Sequence, residues 1–319
     1  METKVFDEGT CIDQLMGFTK DELRDLSAAM GVPVAAFWSK DRICRAMVQA
    51  MGENPASTAD WFSHPLLKEL RDLSEHGIPA EPMILEYQAP AMAEQLLTVG
   101  LAEWRGRALM IWPMAFQIAA ASDEEREKER FQVDLCAEGM LCAYGIMEEE
   151  EWVRRMTALW ERWSEAQMAR HLCARLELLD MTQRLVRQGR RWWADIQMDE
   201  PGQWVKWYLE NQEMGYRIYS AREYRKAALT GWIREPQEKE EIIKLLTGHG
   251  MEQSQAEDAL TMEMLERQNH PGRGEAPGFV RHFVERHPLE GERITELYRA
   301  YCRNMALWIY KGDTAKSRD

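Results

Sequence analysis

Arginine is concentrated in one stretch of the chain, Ser164–Met198, whose side chains can bind phosphate. The stretch carries six arginines and a histidine, His171, against only four acids. The arginines are Arg170, Arg175, Arg184, Arg187, Arg190 and Arg191. A guanidinium group matches the geometry of a phosphate and binds it through two hydrogen bonds. In a chain of formal net charge −14, this local excess of positive charge indicates a surface for a nucleic-acid backbone.

The elements that must position these arginines are a helix and a hairpin. Residues in the first half of the stretch have helical spacing, and two short strands turn at Gln188-Gly189 in the second half. A helix followed by a basic hairpin is typical of winged-helix units, which place the helix in a groove and the hairpin on the backbone. Winged helices also serve as scaffolds that dock proteins, and the sequence leaves both alternatives open. Trp192 and Trp193 offer one stacking face for a base. The alternative, which strand alternation favours, is that one of them is buried against the helices and the other is an anchor at the surface.

A similar order of elements occurs earlier in the chain. Helices lead to a basic hairpin at Trp104-Arg105-Gly106-Arg107, as they do again at Arg187-Gln188-Gly189-Arg190. We therefore expect two winged-helix-like units in tandem, residues 58–121 and residues 122–199. A helical bundle with incidental hairpins is the alternative.

The first fifty residues have the spacing of two short helices joined by an extended loop. Thr19 and Glu22 form a capping box for the first helix, which ends at Gly31. Ser39 caps the second helix, whose apolar face includes Ile43.

These residues resemble the N-terminal module of the Rho termination factor and the SAP-like modules. The matching positions are Thr19, Glu22-Leu23, Leu26, Gly31-Val32, Ser39-Lys40 and Ile43. The resemblance implies that residues 1–52 form a helical module that contacts DNA or RNA. Its basic residues Lys20, Lys40, Arg42 and Arg45 would then meet phosphates. The alternative is a compact helical cap whose charges are solvated.

Residues 200–319 show helical spacing in several separate segments, so we expect an all-helical domain there. The last helix is predicted over Gly291–Tyr310, and the polar tail from Lys311 is expected to fray. A second resemblance, over most of residues 60–315, is to a group of uncharacterised bacterial proteins that often end in a SEC-C metal-binding motif. Its positions are Ala143-Tyr144-Gly145-Ile146, Tyr219-Ser220-Ala221-Arg222-Glu223 and Leu307–Thr314. The cysteine-rich SEC-C segment has no counterpart in this sequence, so no metal role carries over.

Composition places the chain among globular proteins. Hydrophobic residues make up 45% and charged residues 29% of it, and we expect most of the thirteen tryptophans and twenty methionines in the core. The net negative charge argues against indiscriminate binding to nucleic acid, because phosphate contacts need a positive surface.

The location of the protein is predicted from its cysteines and its apolar segments. The six cysteines form no CxxC pair, so we expect free thiols in a reducing compartment. The first residues lack the features of a signal peptide, and the most apolar window, Ala108–Ala121, is too short to cross a bilayer. We therefore expect a cytoplasmic protein with no membrane partner.

The sequence contains no enzyme motif that we recognise. There is no phosphate-binding glycine loop, nucleophile elbow or dinucleotide fingerprint, and histidine and cysteine have no metal-ligand spacing. The acidic run Glu148–Glu151 is expected to open a helix rather than to bind a metal. We therefore expect no catalytic residue, no cofactor and no metal.

The fold that we expect is mainly α: the helical module, two winged-helix-like units with short β-hairpins, and the all-helical C-terminal domain. The predicted function is that of a non-enzymatic bacterial nucleic-acid-binding or regulatory protein that uses the basic hairpin. Its predicted contacts are Arg170, His171, Arg175, Arg184, Arg187, Arg190, Arg191, Lys40, Arg42 and Arg45. The alternative is an acidic protein-interaction adaptor or inhibitor, of a kind that phages or mobile elements encode, with a protein partner and no direct nucleic-acid binding. The sequence leaves the oligomeric state open.

Overall fold

The chain divides into two compact units. The first comprises Met1–Asp134 and Met156–Asp180, and the second comprises Leu135–Arg155 and Met181–Asp319. The computed structural model describes residues 8–29, 31–86, 89, 93–175, 181–272 and 276–314.

The first unit is mainly helical and contains a small sheet. Its elements are α1 (Glu8–Leu15), α2 (Lys20–Ala29), α3 (Lys40–Glu53), α4 (Pro55–Thr58), a 3-10 turn (Ala59–Trp61), α5 (His64–Leu73), β1 (Met83–Glu86), α6 (Glu94–Thr98), β2 (Ala102–Arg105), β3 (Ala108–Ile111), α7 (Pro113–Ala121), the first part of α8 (Glu124–Tyr144), the last part of α9 (Glu149–Leu159) and α10 (Glu165–Ala174).

The second unit contains the remaining parts of α8 and α9, a second small sheet and further helices. Its other elements are β4 (Ile146–Glu148), β5 (Thr182–Arg187), β6 (Arg190–Asp195), α11 (Pro201–Glu210), α12 (Ala221–Thr230), α13 (Glu238–Gly248), α14 (Gln253–Asn269), α15 (Gly278–Arg286), α16 (Gly291–Asn304) and a 3-10 turn (Trp308–Tyr310). The predicted fold class, mainly α with short β-hairpins, is confirmed at this level.

Helix starts agree with the capping residues read from the sequence. At α2 the Glu22 carboxylate accepts a hydrogen bond from the Thr19 amide at 2.7 Å, and the Thr19 hydroxyl accepts one from the Glu22 amide. Ser39 caps α3 by accepting from the Arg42 amide. These side chains satisfy amide groups that the first turn of a helix leaves without a partner, so they fix where each helix begins.

The core of the first unit joins the N-terminal helices to the helices that follow. Leu26 of α2, Met47 of α3, Leu66 of α5 and Phe116 of α7 belong to one buried apolar cluster with Trp61 of the 3-10 turn. Burial of each such side chain contributes about 1.5–3 kcal/mol relative to exposure, so this cluster holds α2 and α3 in place.

Both sheets have the same strand order. The order is β1-β3-β2 in one and β4-β6-β5 in the other, so the second strand of each hairpin is central. Both predicted hairpins are confirmed, and Gln188 and Gly189 have φ of 53° and 74°, as a type I′ turn requires. The edge strands β1 and β4 were not among the predicted elements, because three or four residues show too little alternation to be recognised.

The mainly helical fold with short hairpins is observed, but its division into two winged-helix-like units is not confirmed. Residues 122–199 are divided between the two units: α10 belongs to the first, and the β5–β6 hairpin belongs to the second. Two acids of the arginine-rich stretch, Glu177 and Asp180, lie outside the described residues.

Residues 305–314 are held by specific hydrogen bonds. The predicted last helix, Gly291–Tyr310, stops at Asn304, because Gln268 binds the backbone of Ala306 and Trp308 and holds this segment extended. Lys311, expected in a frayed tail, is buried and donates to two backbone carbonyls.

One close backbone approach fixes α8 in the second unit. Gly139 of α8 is buried, and a Cβ atom built on it would lie 1.8 Å from the carbonyl oxygen of Tyr224 and 2.4 Å from its carbonyl carbon. Only glycine fits at this position, because the obstacle is main chain and cannot rotate away.

We predict that Gly139→Ala lowers the free energy of unfolding by more than about 2 kcal/mol, since overpacking forces the backbone to shift. The matched control is Gly248→Ala at the end of α13, where the added methyl group would have no atom within 4 Å apart from those of its chain neighbours and of the helix's own backbone. Urea denaturation of both variants measures the difference, and equal stabilities would contradict the close packing.

Candidate nucleic-acid interface

A buried carboxylate holds two of the predicted contact residues inside the first unit. Asp134 of α8 is fully buried and accepts hydrogen bonds from His171 Nε2 at 2.7 Å and from Arg175 Nε at 2.9 Å. Arg175 also donates to the carbonyl oxygens of Asp60 and Phe62. His171 and Arg175 therefore connect α8, α10 and the 3-10 turn, and their bonding groups are directed to the interior rather than to a surface.

The charge of this cluster is settled by competition between burial and neighbouring charges. Burial opposes ionisation of Asp134, but Arg175 and His171 overcome it and lower the pKa of Asp134. For His171, burial disfavours the protonated imidazole more than Asp134 stabilises it, so the pKa of His171 is lowered. The cluster at neutral pH is thus a carboxylate, a guanidinium and a neutral imidazole.

Arg170, which precedes His171 on α10, has a different environment. It is exposed and borders a cavity together with Arg126 and Arg130 of α8. Both α8 arginines bind the carboxylate of Asp60. Arg126 and Arg130 are four residues apart, which puts them on one face of α8.

Two hairpin arginines of the second unit are paired with the acidic run that begins at Glu148, the last residue of β4. Arg190 binds Glu148 at 3.1 Å, and Arg191 lies 3.6 Å from Glu149. These pairs form because the β4–β6 register sets Glu148 opposite Trp192, close to both arginines. The run Glu148–Glu151 therefore neutralises part of the positive charge that the sequence placed on the hairpin.

The other hairpin side chains are also engaged. The Arg184 guanidinium lies 4.0 Å from the centre of the Trp193 ring, whereas Arg187 is exposed at the end of β5. Trp192 and Trp193 are 4% and 1% exposed, so the expectation that one of them lies at the surface is wrong. Each packs in the second unit, and Trp193 donates to Glu149.

The basic residues at the start of α3 are near the surface. Lys40 donates to the Met16 carbonyl, and Arg45 pairs with Asp41 at 3.0 Å. The Arg42 guanidinium stacks 4.2 Å above the Trp38 ring. Arg42 and Arg45 are exposed, and Lys40 is half-buried.

An exposed aromatic residue adjoins these cations and was missed by the sequence analysis. Phe37, in the turn before α3, is 82% exposed. The signal that could have identified it is the aromatic pair Phe37-Trp38 directly before the Ser39 cap, where only Trp38 packs against the core. Aromatic rings beside cations can stack on bases while the cations bind phosphates.

Comparison of the chain with protein-family models, with curated proteins and with solved structures gave no match. Among the described residues, no three histidine, cysteine, aspartate or glutamate side chains are grouped so that they could hold a metal ion. Within the same residues, none of the helices has the length and apolar character needed to cross a membrane.

We predict that Asp134→Asn lowers the free energy of unfolding by about 3–5 kcal/mol, because Arg175 loses its buried counterion. The stability that Asp134 contributes is fully present above its ordinary pKa of 3.8 and is lost as the pH falls through the lower folded-state value. Denaturation at neutral and acidic pH should therefore show a difference from wild type that shrinks in acid. Asp41→Asn breaks only an exposed pair and should leave stability nearly unchanged; a similar effect of both variants would refute the role of Asp134.

A second carboxylate, that of Asp195, should give stability the opposite pH dependence. Asp195, at the end of β6, accepts from the Gln197 amide at 2.8 Å, and burial raises its pKa to about 6. The folded protein thus holds this proton more tightly, and the stability that the proton contributes is lost as the pH rises from about 4 to about 6.

Asp195→Asn keeps the accepting oxygen without the charge. We predict that the variant is more stable than wild type at pH 7 by about 1–2 kcal/mol and equal to it below pH 4. Urea denaturation at both pH values measures this, and a difference that does not change with pH would contradict the raised pKa.

Proposed function

We propose that the protein binds single-stranded DNA or RNA, without catalysis, through the surface at the start of α3. The observation that carries the proposal is the ring of Phe37, 82% exposed beside the stacked pair of Trp38 and Arg42. The resemblance of residues 1–52 to the Rho and SAP-like modules supports it.

Phosphate binding is supported by the charges around this turn. Residues 31–45 contain Lys40, Arg42 and Arg45 against a single acid, Asp41. The amide groups at the start of α3 add positive potential, because the dipole of a helix favours anions at its N-terminus. This segment thus has a net positive charge in a strongly acidic chain.

Recognition of a single strand rather than a duplex follows from the aromatic ring. Phe37 is large, apolar and directed away from the core, so it can stack on an unpaired base. Stacking accepts any base, and we therefore expect little sequence preference.

The hairpin takes a secondary role in this proposal. We propose the β5–β6 hairpin, with the strand order β4-β6-β5, as a structural scaffold of the second unit. Arg190 and Arg191 are paired with acids, so a phosphate would have to displace Glu148 and Glu149. Arg187 is the hairpin residue best placed for an additional contact.

The same neutralised hairpin favours a second candidate function, that of an acidic protein-interaction adaptor or inhibitor. The surface of such an adaptor would present acidic side chains to a basic protein partner, in keeping with the chain's net charge of −14. Absence of nucleic-acid binding at low salt would favour this candidate.

Fluorescence anisotropy with labelled single-stranded and duplex probes tests the proposal. We predict that the wild type prefers single strands and that its affinity falls as salt rises from about 50 to 200 mM. Phe37→Ala should weaken single-strand binding by about tenfold, since one base loses its stacking partner, and Arg42→Glu should weaken it and reduce the salt dependence.

The matched control for Phe37→Ala is Leu289→Ala, which removes another highly exposed apolar side chain. It should bind like the wild type. Binding that Phe37→Ala leaves unchanged, and that Arg187→Glu with Arg190→Glu abolishes, would assign the contact to the hairpin instead.

A further inference from the structure

The first unit contains a cavity of about 590 Å³ whose polar lining the proposed function does not use. Arg126, Glu129 and Arg130 reach it from α8, and Arg170 reaches it from α10. Asp60 of the 3-10 turn and Trp163, just before α10, also line the cavity. The volume falls within the range of small-molecule sites, about 300–1,000 Å³.

The cavity has more positive than negative side chains. Arg126 and Arg130 share one carboxylate, that of Asp60. Arg170 is exposed and has neither an ion pair nor a hydrogen bond with the residues that the structure describes. Burial, and then the nearby charge of Arg175, lowers the pKa of Arg130 to about 10, so this guanidinium is still charged at neutral pH. An anion in the cavity would relieve the repulsion between these cations.

Trp163 provides an aromatic wall of the cavity, and its ring is held in position by contact with His171. Its ring meets His171 in a T-shaped contact, with ring centres 5.0 Å apart. His171 is in turn held by Asp134. A planar ring that enters the cavity can pack on an indole that is already oriented.

We propose that this cavity binds a nucleoside monophosphate. The phosphate binds Arg126 and Arg170, which are the most exposed of the three guanidinium groups. The base packs against Trp163, and its N–H groups donate to Glu129. An acid in the wall of an anion site is thereby explained, because a nucleotide carries hydrogen-bond donors at the end opposite its phosphate.

Two ligands offer the same phosphate and base to the cavity: a free nucleotide, and the 5′-phosphorylated end of a nucleic-acid strand. The cavity and the Phe37 surface both belong to the first unit, but no side chain is argued to bind both ligands, so this proposal does not rest on the proposed function. Each can fail while the other holds.

Isothermal titration calorimetry of the full chain with AMP, GMP and inorganic phosphate tests the cavity. We expect both nucleotides to bind at least tenfold more tightly than phosphate, which lacks a base. Arg170→Glu should weaken nucleotide binding at least tenfold, because it reverses an exposed charge at the phosphate position, and Trp163→Phe should weaken it less than Trp163→Ala. Thermal unfolding of each variant verifies that it is folded.

The matched control is Arg222→Glu on the exposed surface of α12, which should bind nucleotides like the wild type. A second arm compares 5′-phosphorylated with 5′-hydroxyl single strands. A preference for the phosphorylated strand that Arg170→Glu removes supports the cavity with a strand end as its ligand. Failure of AMP, GMP and the phosphorylated end to bind, or equal binding by Arg170→Glu and wild type, would overturn the proposal.

Discussion

The ion pair between Asp134 and Arg175 is the interaction on which the first unit most depends. A fully buried carboxylate is tolerated only with a counterion and hydrogen bonds, and Arg175 and His171 supply them. Arg175 also binds the carbonyl groups of the 3-10 turn, so the pair fixes the backbone that carries Asp60. Asp60 then holds Arg126 and Arg130 at the cavity.

Pairing decides which basic residues of an acidic chain can act on a ligand. Where an acid lies close to an arginine, as Glu148 lies close to Arg190, the two form an ion pair in the absence of a ligand. A phosphate must then compete with the carboxylate for the arginine. Where a cation lies over an aromatic ring, as Arg42 lies over Trp38, its hydrogen-bond donors stay available. A small surface with three cations and the single acid Asp41 can therefore matter more than a longer stretch whose arginines are buried or paired.

Local signals in the sequence predicted the local structure well. The caps at Thr19 and Ser39 and the turn at Gln188-Gly189 depend only on neighbouring residues, and all were recognised. Contacts between distant residues could not be predicted in the same way. The pairing of Arg175 with Asp134 joins positions 41 residues apart, and that of Arg190 with Glu148 joins positions 42 apart. Because those contacts determine which arginines are buried or neutralised, the sequence named candidates for the site but could not tell which of them remain accessible.

Photo-crosslinking tests the central claim, that the surface at the start of α3 contacts nucleic acid, most directly. A single strand substituted with bromouridine is bound to the full chain, irradiated and digested, and mass spectrometry locates the modified residues. We predict crosslinks at Phe37 and Trp38, because a base stacked on these rings lies in contact with them. Crosslinks confined to the hairpin residues Thr182–Asp195, or none at any position, would contradict the claim.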